Sequence, residues 1–184
     1  MVNNRPTVYN ASSVYKTGGG GGGSNNFDIG QFLDGKLMPD GRIWATKNIS
    51  LIPFPNGANG PNADSSLILG YGLCINWDAL GYLISNKDIF CPGWNVPTRQ
   101  EYLDLFNACN NQYSVLNGNG FNVQLTGTYR GGQWDGQAQY TFYWTRTSGG
   151  IGARVAYFKP SDPLQIAETW VTDLLPVRLI KDAE

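Results

Sequence analysis

Apolar positions recur at helical spacing most clearly between Thr98 and Cys109. Tyr102, Leu105, Phe106 and Cys109 fall on one face, with Leu103 beside them. Thr98 stands where an N-cap belongs and Glu101 follows at capping-box spacing, so the pattern predicts a helix of about three turns. A second amphipathic stretch runs from Ile75 to Ile84, with Trp77, Leu80, Leu83 and Ile84 on one face. The remaining apolar runs are short and read as strands: Arg42–Thr46, Phe121–Leu125, Gly127–Arg130, Phe142–Thr147, Ala153–Phe158 and Leu175–Ile180. Asp34-Gly35 and Asp40-Gly41 read as turns, and residues 53–65 are rich in Pro, Gly and Asn, the chemistry of a loop. Two helices among short, mostly antiparallel strands predict the α+β class.

The N-terminal segment breaks this pattern. Residues 1–17 are polar, with apolar anchors only at Val8, Tyr9, Val14 and Tyr15, and Gly18–Gly23 and Ser24-Asn25-Asn26 follow. Such a run buries no side chains and loses much backbone entropy on ordering. The expected organisation is a tail over 1–26 and one domain over 27–184. Two readings of the tail stay open: a loose linker, or a tether whose first 17 residues dock on a partner. In the second reading residues 1–26 join the domain to a larger particle, such as a capsid or tail protein. Self-assembly is expected as a homotrimer first and a dimer second.

Composition narrows the chemistry. The chain has 184 residues, 13% of them aromatic and only 15% charged, with a formal net charge of −1. That balance predicts no nucleic-acid partner and no polybasic membrane patch. No segment approaches the roughly 18 apolar residues of a membrane span, so no membrane insertion is expected. The start shows no basic region followed by an apolar one, so no secretion signal is read. There is no histidine, which removes Ser-His-Asp, Cys-His and His-zinc chemistries. The three cysteines, Cys74, Cys91 and Cys109, allow one internal disulfide, and their spacing suggests neither a zinc knuckle nor a redox pair. All three are expected to be reduced and at least half-buried.

The order of several short motifs adds a resemblance. Gly41-Arg42-Ile43-Trp44-Ala45-Thr46-Lys47-Asn48, then Tyr71-Gly72-Leu73 with Trp77-Asp78-Ala79, then Cys91-Pro92-Gly93-Trp94-Asn95-Val96-Pro97-Thr98 with Glu101-Tyr102 and Leu105, stand in sequence. Gly127-Thr128-Tyr129-Arg130, Phe142-Tyr143-Trp144-Thr145 and Val177-Arg178-Leu179-Ile180-Lys181-Asp182 follow. In this order they resemble the blocks of the Fibrobacter succinogenes major paralogous domain over about residues 40–182, with one residue missing before Gly93. The resemblance implies a C-type lectin-like fold: the first and last strands paired, two helices flanking the sheets, and a long irregular loop region facing a ligand. It identifies no ligand. Where the family carries a cysteine, implied as the disulfide partner of the residue at Cys91, this chain has Leu179. Cys91 is therefore expected to be a reduced thiol packed near Leu179, and Trp44 to be buried beside the strand at Val177–Ile180.

Under that resemblance the calcium triplets of sugar-binding lectins would be sought, and neither Glu-Pro-Asn nor Gln-Pro-Asp occurs. Trp94-Asn95 reads as the approach to a helix and Trp134-Asp135-Gly136 as a loop tip. Asp28, Asp34 and Asp40 look like turn residues, so no metal or other cofactor is expected. The fold also occurs in formylglycine-generating enzymes, but Cys74 and Cys109 fall on predicted helical faces beside apolar residues, where thiols are inert.

The best candidate for a binding site is the segment Tyr129–Tyr140, which mixes aromatics, amides, an arginine and glycines as adaptable binding loops do. The candidate ligand-binding residues are Arg130, Gln133, Trp134, Asp135, Gln137, Gln139, Tyr140 and Arg146. The bland alternatives are that Trp134 sits in a satellite core and that Arg146 and Arg154 are solvated edge charges. Trp144 reads as core. No catalytic residues are assigned, and an enzyme is not expected. The expected function is a structural display protein: a phage head fibre, tail-associated adhesin or capsid decoration. It would be made in the host cytoplasm, carried on the virion, and recognise a cell-surface glycan or protein receptor. The alternative is a bacterial cell-surface adhesion module of the same family.

Overall fold

The strand expected near Trp44 forms, and it pairs with the strand expected near Ile180. A computed structural model describes residues 8–10, 33–50, 65–68, 70–150 and 152–183. The strands are β1 (Val8–Asn10), β2 (Gly35–Leu37), β3 (Arg42–Ala45), β4 (Ser65–Ile68), β5 (Gly72–Ile75), β6 (Thr128–Arg130), β7 (Gln133–Asp135), β8 (Thr141–Ser148), β9 (Ala153–Phe158), β10 (Gln165–Thr169), β11 (Leu175–Pro176) and β12 (Ile180–Asp182). The helices are α1 (Trp77–Ser85), α2 (Lys87–Phe90), α3 (Arg99–Ala108) and α4 (Tyr113–Gly118), so the chain is α+β. The described strands form four small sheets, ordered β1-β4-β5-β11, β10-β9-β8, β12-β3-β2 and β6-β7, with antiparallel pairing throughout.

In the sheet holding β3, Trp44 lies opposite Ile180 and Ile43 opposite Lys181. The contact continues past the ladder, since the Ala45 amide donates to the Leu179 carbonyl and the Ile49 amide to the Val177 carbonyl. Period-2 alternation then sends neighbours to different cores: Ile43 and Ala45 join one buried cluster and Trp44 the other. The Trp44 ring packs against Tyr102 and Phe121 at centroid distances of 5.0 and 5.6 Å, and its Nε1 donates to Asp40 at 2.9 Å.

The sheet of β8, β9 and β10 separates the same two clusters. Trp144, Ala153 and Val155 face the cluster that α1 covers with Ala79, Leu80 and Leu83. Tyr143, Ala156 and Phe158 face the cluster that α3 covers with Tyr102, Leu105 and Phe106. The capping box of α3 forms as expected, with both the Thr98 and Glu101 bonds present. Trp144 is core as expected, and its Nε1 donates to the Ile75 carbonyl at 2.6 Å.

Several elements differ from expectation, each for a local reason. Asp34-Gly35 is no turn, because Gly35 opens β2 against the side chains of Ile43 and Trp94, where a Cβ has no room. Ile75 ends β5 and Asn76 caps α1 by accepting from the Ala79 amide at 3.0 Å, so Cys74 lies on a strand and not on a helix. The short helices α2 and α4 were not anticipated, since neither carries a side-chain cap bond to mark its start. Phe121–Leu125 alternates like a strand but pairs with side chains: the Val123 amide donates to Asn117 Oδ1 and the Gln124 amide to the Tyr143 hydroxyl. The run Leu175–Ile180 is split into the end of one sheet and the start of another. Tyr143, Trp144 and Thr145 are all buried, because both faces of β8 are covered and its register shifts after Trp144. Strands β5, β7 and β10 were not read from the sequence. Asp28 and the glycine run lie outside the described residues, but β1, from the tail, pairs with β4 of the same chain.

Arg178 is wholly buried and joins four segments. It donates to the carbonyls of Ala45, Phe121 and Asn122, to Asn48 Oδ1 and to the Tyr143 hydroxyl, at 2.7–3.1 Å. The guanidinium also lies 4.7 Å from the centroid of Phe121 and 5.2 Å from that of Tyr143. None of these partners is a carboxylate.

The three cysteines are buried and none is in a disulfide, and Cys91 shares a cluster with Leu179. Burial pushes the Cys74 and Cys109 thiols up, away from the reactive thiolate. Alkylation under native conditions should be slow, and under denaturing, non-reducing conditions should count three thiols per chain. A count of one would show a disulfide. Replacing Arg178 by Ala should remove about 3–5 kcal/mol in urea unfolding, because it strands several buried acceptors. Arg178→Lys should restore only part, since an ammonium cannot reproduce the planar fork.

Candidate functional site

The segment that sequence reading singled out folds as a tight hairpin. β6 and β7 pair with Tyr129 opposite Trp134 and Arg130 opposite Gln133. The two residues between them, Gly131 and Gly132, have φ of +56° and +85°. A two-residue turn with both φ values positive matches the twist of an antiparallel pair, and glycine adopts it without a Cβ penalty. Trp134-Asp135 is therefore strand and not loop tip, with the glycines at the tip.

Strand alternation then sorts the hairpin's side chains. Tyr129 and Trp134 share one face, their ring centroids 5.3 Å apart, and pack with Tyr71 against a small buried cluster of Cys74 and Leu174. Thr128, Arg130, Gln133 and Asp135 fall on the other face, in agreement with period 2. This face opens on a cleft of about 510 Å³, whose far wall is Tyr140, Phe142, Glu168 and Thr169; Trp134 adds an edge to it. A second hollow of about 260 Å³ shares Arg130, Glu168 and Thr169 and extends to Gly152 and Trp170.

Arg130 is fixed where the hollows meet. Tyr129 and Leu174 exchange backbone hydrogen bonds, which sets Arg130 beside Asp173. Arg130 Nε donates to Asp173 Oδ1 at 2.9 Å and Nη2 to Asp173 Oδ2, with Nη2 also 3.1 Å from Thr169 Oγ1. The Thr169 hydroxyl donates to the same carboxylate. Asp173 is fully buried while the Arg130 side chain stays 53% exposed. The hydrogen bond to Asp173, strengthened by its charge, raises the guanidinium pKa further. Arg130 also lines both hollows.

Tyr140 is held in a similar way. The turn from Gly136 brings its amide to the Gly136 carbonyl at 3.1 Å, and its hydroxyl donates to Asp135 Oδ2 at 2.6 Å. Burial first, and then the Asp135 carboxylate, push the phenol up to about 12. Gly136 has φ of +68°, and a Cβ there would collide with the Tyr140 ring.

Of the eight candidate residues the cleft gathers Arg130, Gln133, Trp134, Asp135 and Tyr140. Gln137 and Gln139 follow the hairpin without lining the cleft. Gln137 is half-buried with Nε2 unpartnered, and Gln139 is exposed. Arg146 stands at the far end of β8, 3.8 Å from Glu101 at the start of α3. Arg154 pairs with Glu168 at 2.8 Å. Thr128, Phe142, Glu168, Thr169 and Trp170 were not anticipated. Alternation through Gln165-Ile166-Ala167-Glu168-Thr169 is the signal that would have placed a strand there. Among the described residues no group of three or more Cys, Asp or Glu could hold a metal ion, and no helix is long and apolar enough to cross a membrane.

No protein-family model matches the chain, and no curated protein or solved structure is significantly similar to it. The chemistry of the site is fixed donors, carboxylate acceptors and aromatic surfaces around an open cleft.

Trp134→Ala should lower stability by about 2 kcal/mol, since the ring packs on Tyr129 and Leu174, and thermal unfolding measures it. For Tyr140 the sign follows from its raised pKa. The neutral phenol is favoured in the fold, so its contribution is complete below about pH 10 and is lost as pH rises through about 12. Tyr140→Phe should flatten the fall in stability across that window. An unchanged alkaline slope would show that Tyr140 does not contribute to it.

Proposed function

We propose that this chain is a non-enzymatic binding head with a C-type lectin-like fold, displayed on a phage virion and recognising a cell-surface glycan or receptor through the cleft beside the β6–β7 hairpin. The observation that carries this reading is the cleft itself. It presents a half-exposed guanidinium held by a buried carboxylate, next to Gln133, Asp135 and Glu168 and the rings of Tyr140 and Phe142. Concave sites with a few fixed polar groups and aromatic walls are the usual form of a small-ligand site.

The lectin-like part of the proposal is supported by the resemblance to the Fibrobacter succinogenes major paralogous domain. It is also supported by the pairing of β3 with β12 and by α1 and α3 covering opposite faces of the β8–β10 sheet. Display is supported by the glycine-rich segment at 18–23, which in the sequence stands between residues 1–17 and the head, although β1, within residues 1–17, pairs with β4. In this reading residues 1–26 attach to the particle and assemble the heads into a closed homo-oligomer, whose several clefts add avidity.

Two experiments test the proposal. The full chain should bind intact bacterial host cells, and Gln133→Ala combined with Tyr140→Phe should weaken that binding about tenfold, or about 1.4 kcal/mol, with far-UV circular dichroism unchanged. Equal binding by the double variant would remove the cleft from the function. Mass spectrometry of purified virions should find the chain, and deletion of residues 1–26 should abolish its incorporation while the head stays folded. Normal incorporation of the deleted chain would overturn the attachment role of the tail.

A further inference from the structure

The second hollow holds a feature outside the segment that sequence reading chose. Trp170 is 59% exposed, and Val171 beside it is 42% exposed. An indole left largely in water forgoes the stabilisation of burial, and this indole is not on a loose loop. The Asp173 amide donates to the Trp170 carbonyl at 3.1 Å, and the Trp77 amide donates to the Val171 carbonyl at 3.0 Å. The same turn ends in Asp173, which Arg130 and Thr169 clamp from the cleft side. An exposed aromatic surface is thus fixed at the rim of a hollow whose other walls are Arg130, Glu168, Thr169 and Gly152. Gly152 passes so close to the Thr169 carbonyl that a Cβ would not fit, which keeps this wall bare of side chain.

The polar groups around it select a class of ligand. Arg130 offers donors and the carboxylates of Glu168 and Asp135 offer acceptors around two hollows that share Arg130, Glu168 and Thr169. A hydroxyl both donates and accepts, so neighbouring ring hydroxyls satisfy both kinds of group at once. An anionic ligand meets Arg130 with its charge already paired to Asp173 and meets Asp135 as a like charge, while Glu168, itself paired with Arg154 at 2.8 Å, offers it no cation.

We infer that Trp170 is the stacking platform for a neutral pyranose ring, with Arg130 and Glu168 gripping its hydroxyls; the inference rests on the glycan reading proposed above. The probe is a microarray of neutral oligosaccharides alongside sialylated, uronic-acid and sulfated ones, read with the full chain, Trp170→Ala, Trp170→Phe and Glu168→Gln. The wild type should retain neutral glycans and not acidic ones. Trp170→Ala should lose at least about 30-fold in affinity for the retained glycan, and Trp170→Phe should stay within about fivefold. Glu168→Gln should raise the signal from acidic glycans. Undiminished glycan binding by Trp170→Ala would overturn the platform while leaving the cleft reading intact. Preference of the wild type for acidic glycans would overturn the ligand class. Cell binding without any glycan binding would point to a protein receptor and overturn this inference but not the binding role, whereas binding to neither cells nor glycans would overturn both.

Discussion

The guanidinium of Arg178 sits where four segments of the chain meet, fully buried and with no carboxylate beside it. Moving a charge out of water is expensive unless every donor finds an acceptor. Here the acceptors are three backbone carbonyls, an amide oxygen and a phenol hydroxyl, and two aromatic faces add a cation–π attraction. The dependence is mutual. The Phe121 and Asn122 carbonyls belong to a stretch with no strand partner, so Arg178 supplies the bonds a ladder would have supplied. Asn48, in turn, reaches on to the Tyr71 carbonyl at 2.7 Å, tying the segment before β5 to the same centre.

From that centre the geometry of the cleft follows in few steps. Tyr143 touches Arg178 and belongs to β8, whose first residue, Thr141, bonds the buried Thr126 hydroxyl at 2.7 Å and bridges Gly127. Gly127 leads directly into β6. Its glycine is required, because a Cβ there would strike the backbone of Asp135 and Gln137. On the other side β8 pairs with β9 and β9 with β10, which carries Glu168 and Thr169 to the opposite wall. The cleft thus lies between a glycine-turned hairpin and a sheet whose strand β8 is covered on both faces. Its walls are set by the core and not by loop chemistry, which suits a site that must hold donors and acceptors in place before a ligand arrives.

What the sequence made legible was whatever is local. The capping box at Thr98 and Glu101, the helical face of Tyr102 and Phe106, and the strand near Trp44 depend on residues within a few positions of one another. The pairing of β3 with β12 came from the resemblance, and no local pattern contains it. Phe121–Leu125 misled because its alternation is real while its partners are side chains of distant residues. The hairpin segment was found by composition, but the roles inside it were not. Trp134 looked like the exposed anchor, yet β7 pairing turns it toward Tyr129 and leaves Gln133 and Asp135 facing the cleft. Glu168, Thr169 and Trp170 were missed because they lie about forty residues away, and the Tyr129–Leu174 bridge and the β8–β9–β10 ladder bring them across.

The Arg130–Asp173 pair shows why the site and the fold are hard to separate. A lone exposed arginine would be a mobile surface charge of little energetic consequence. Asp173 is fully buried, and the two-pronged contact from Arg130 with the hydrogen bond from the Thr169 hydroxyl gives both of its oxygens charge-assisted or hydroxyl partners. The guanidinium therefore serves inward as the counter-charge while its side chain stays half-exposed at the cleft. Because Nε and Nη2 are held by Asp173, the planar group is fixed and cannot swing freely. In the proposed glycan reading selectivity comes from position: a ligand must bring its acceptor to Arg130, and its remaining hydroxyls must fall where Glu168 and Asp135 already stand. A flexible lysine at this place would accept anions in many poses, and the fixed fork admits few.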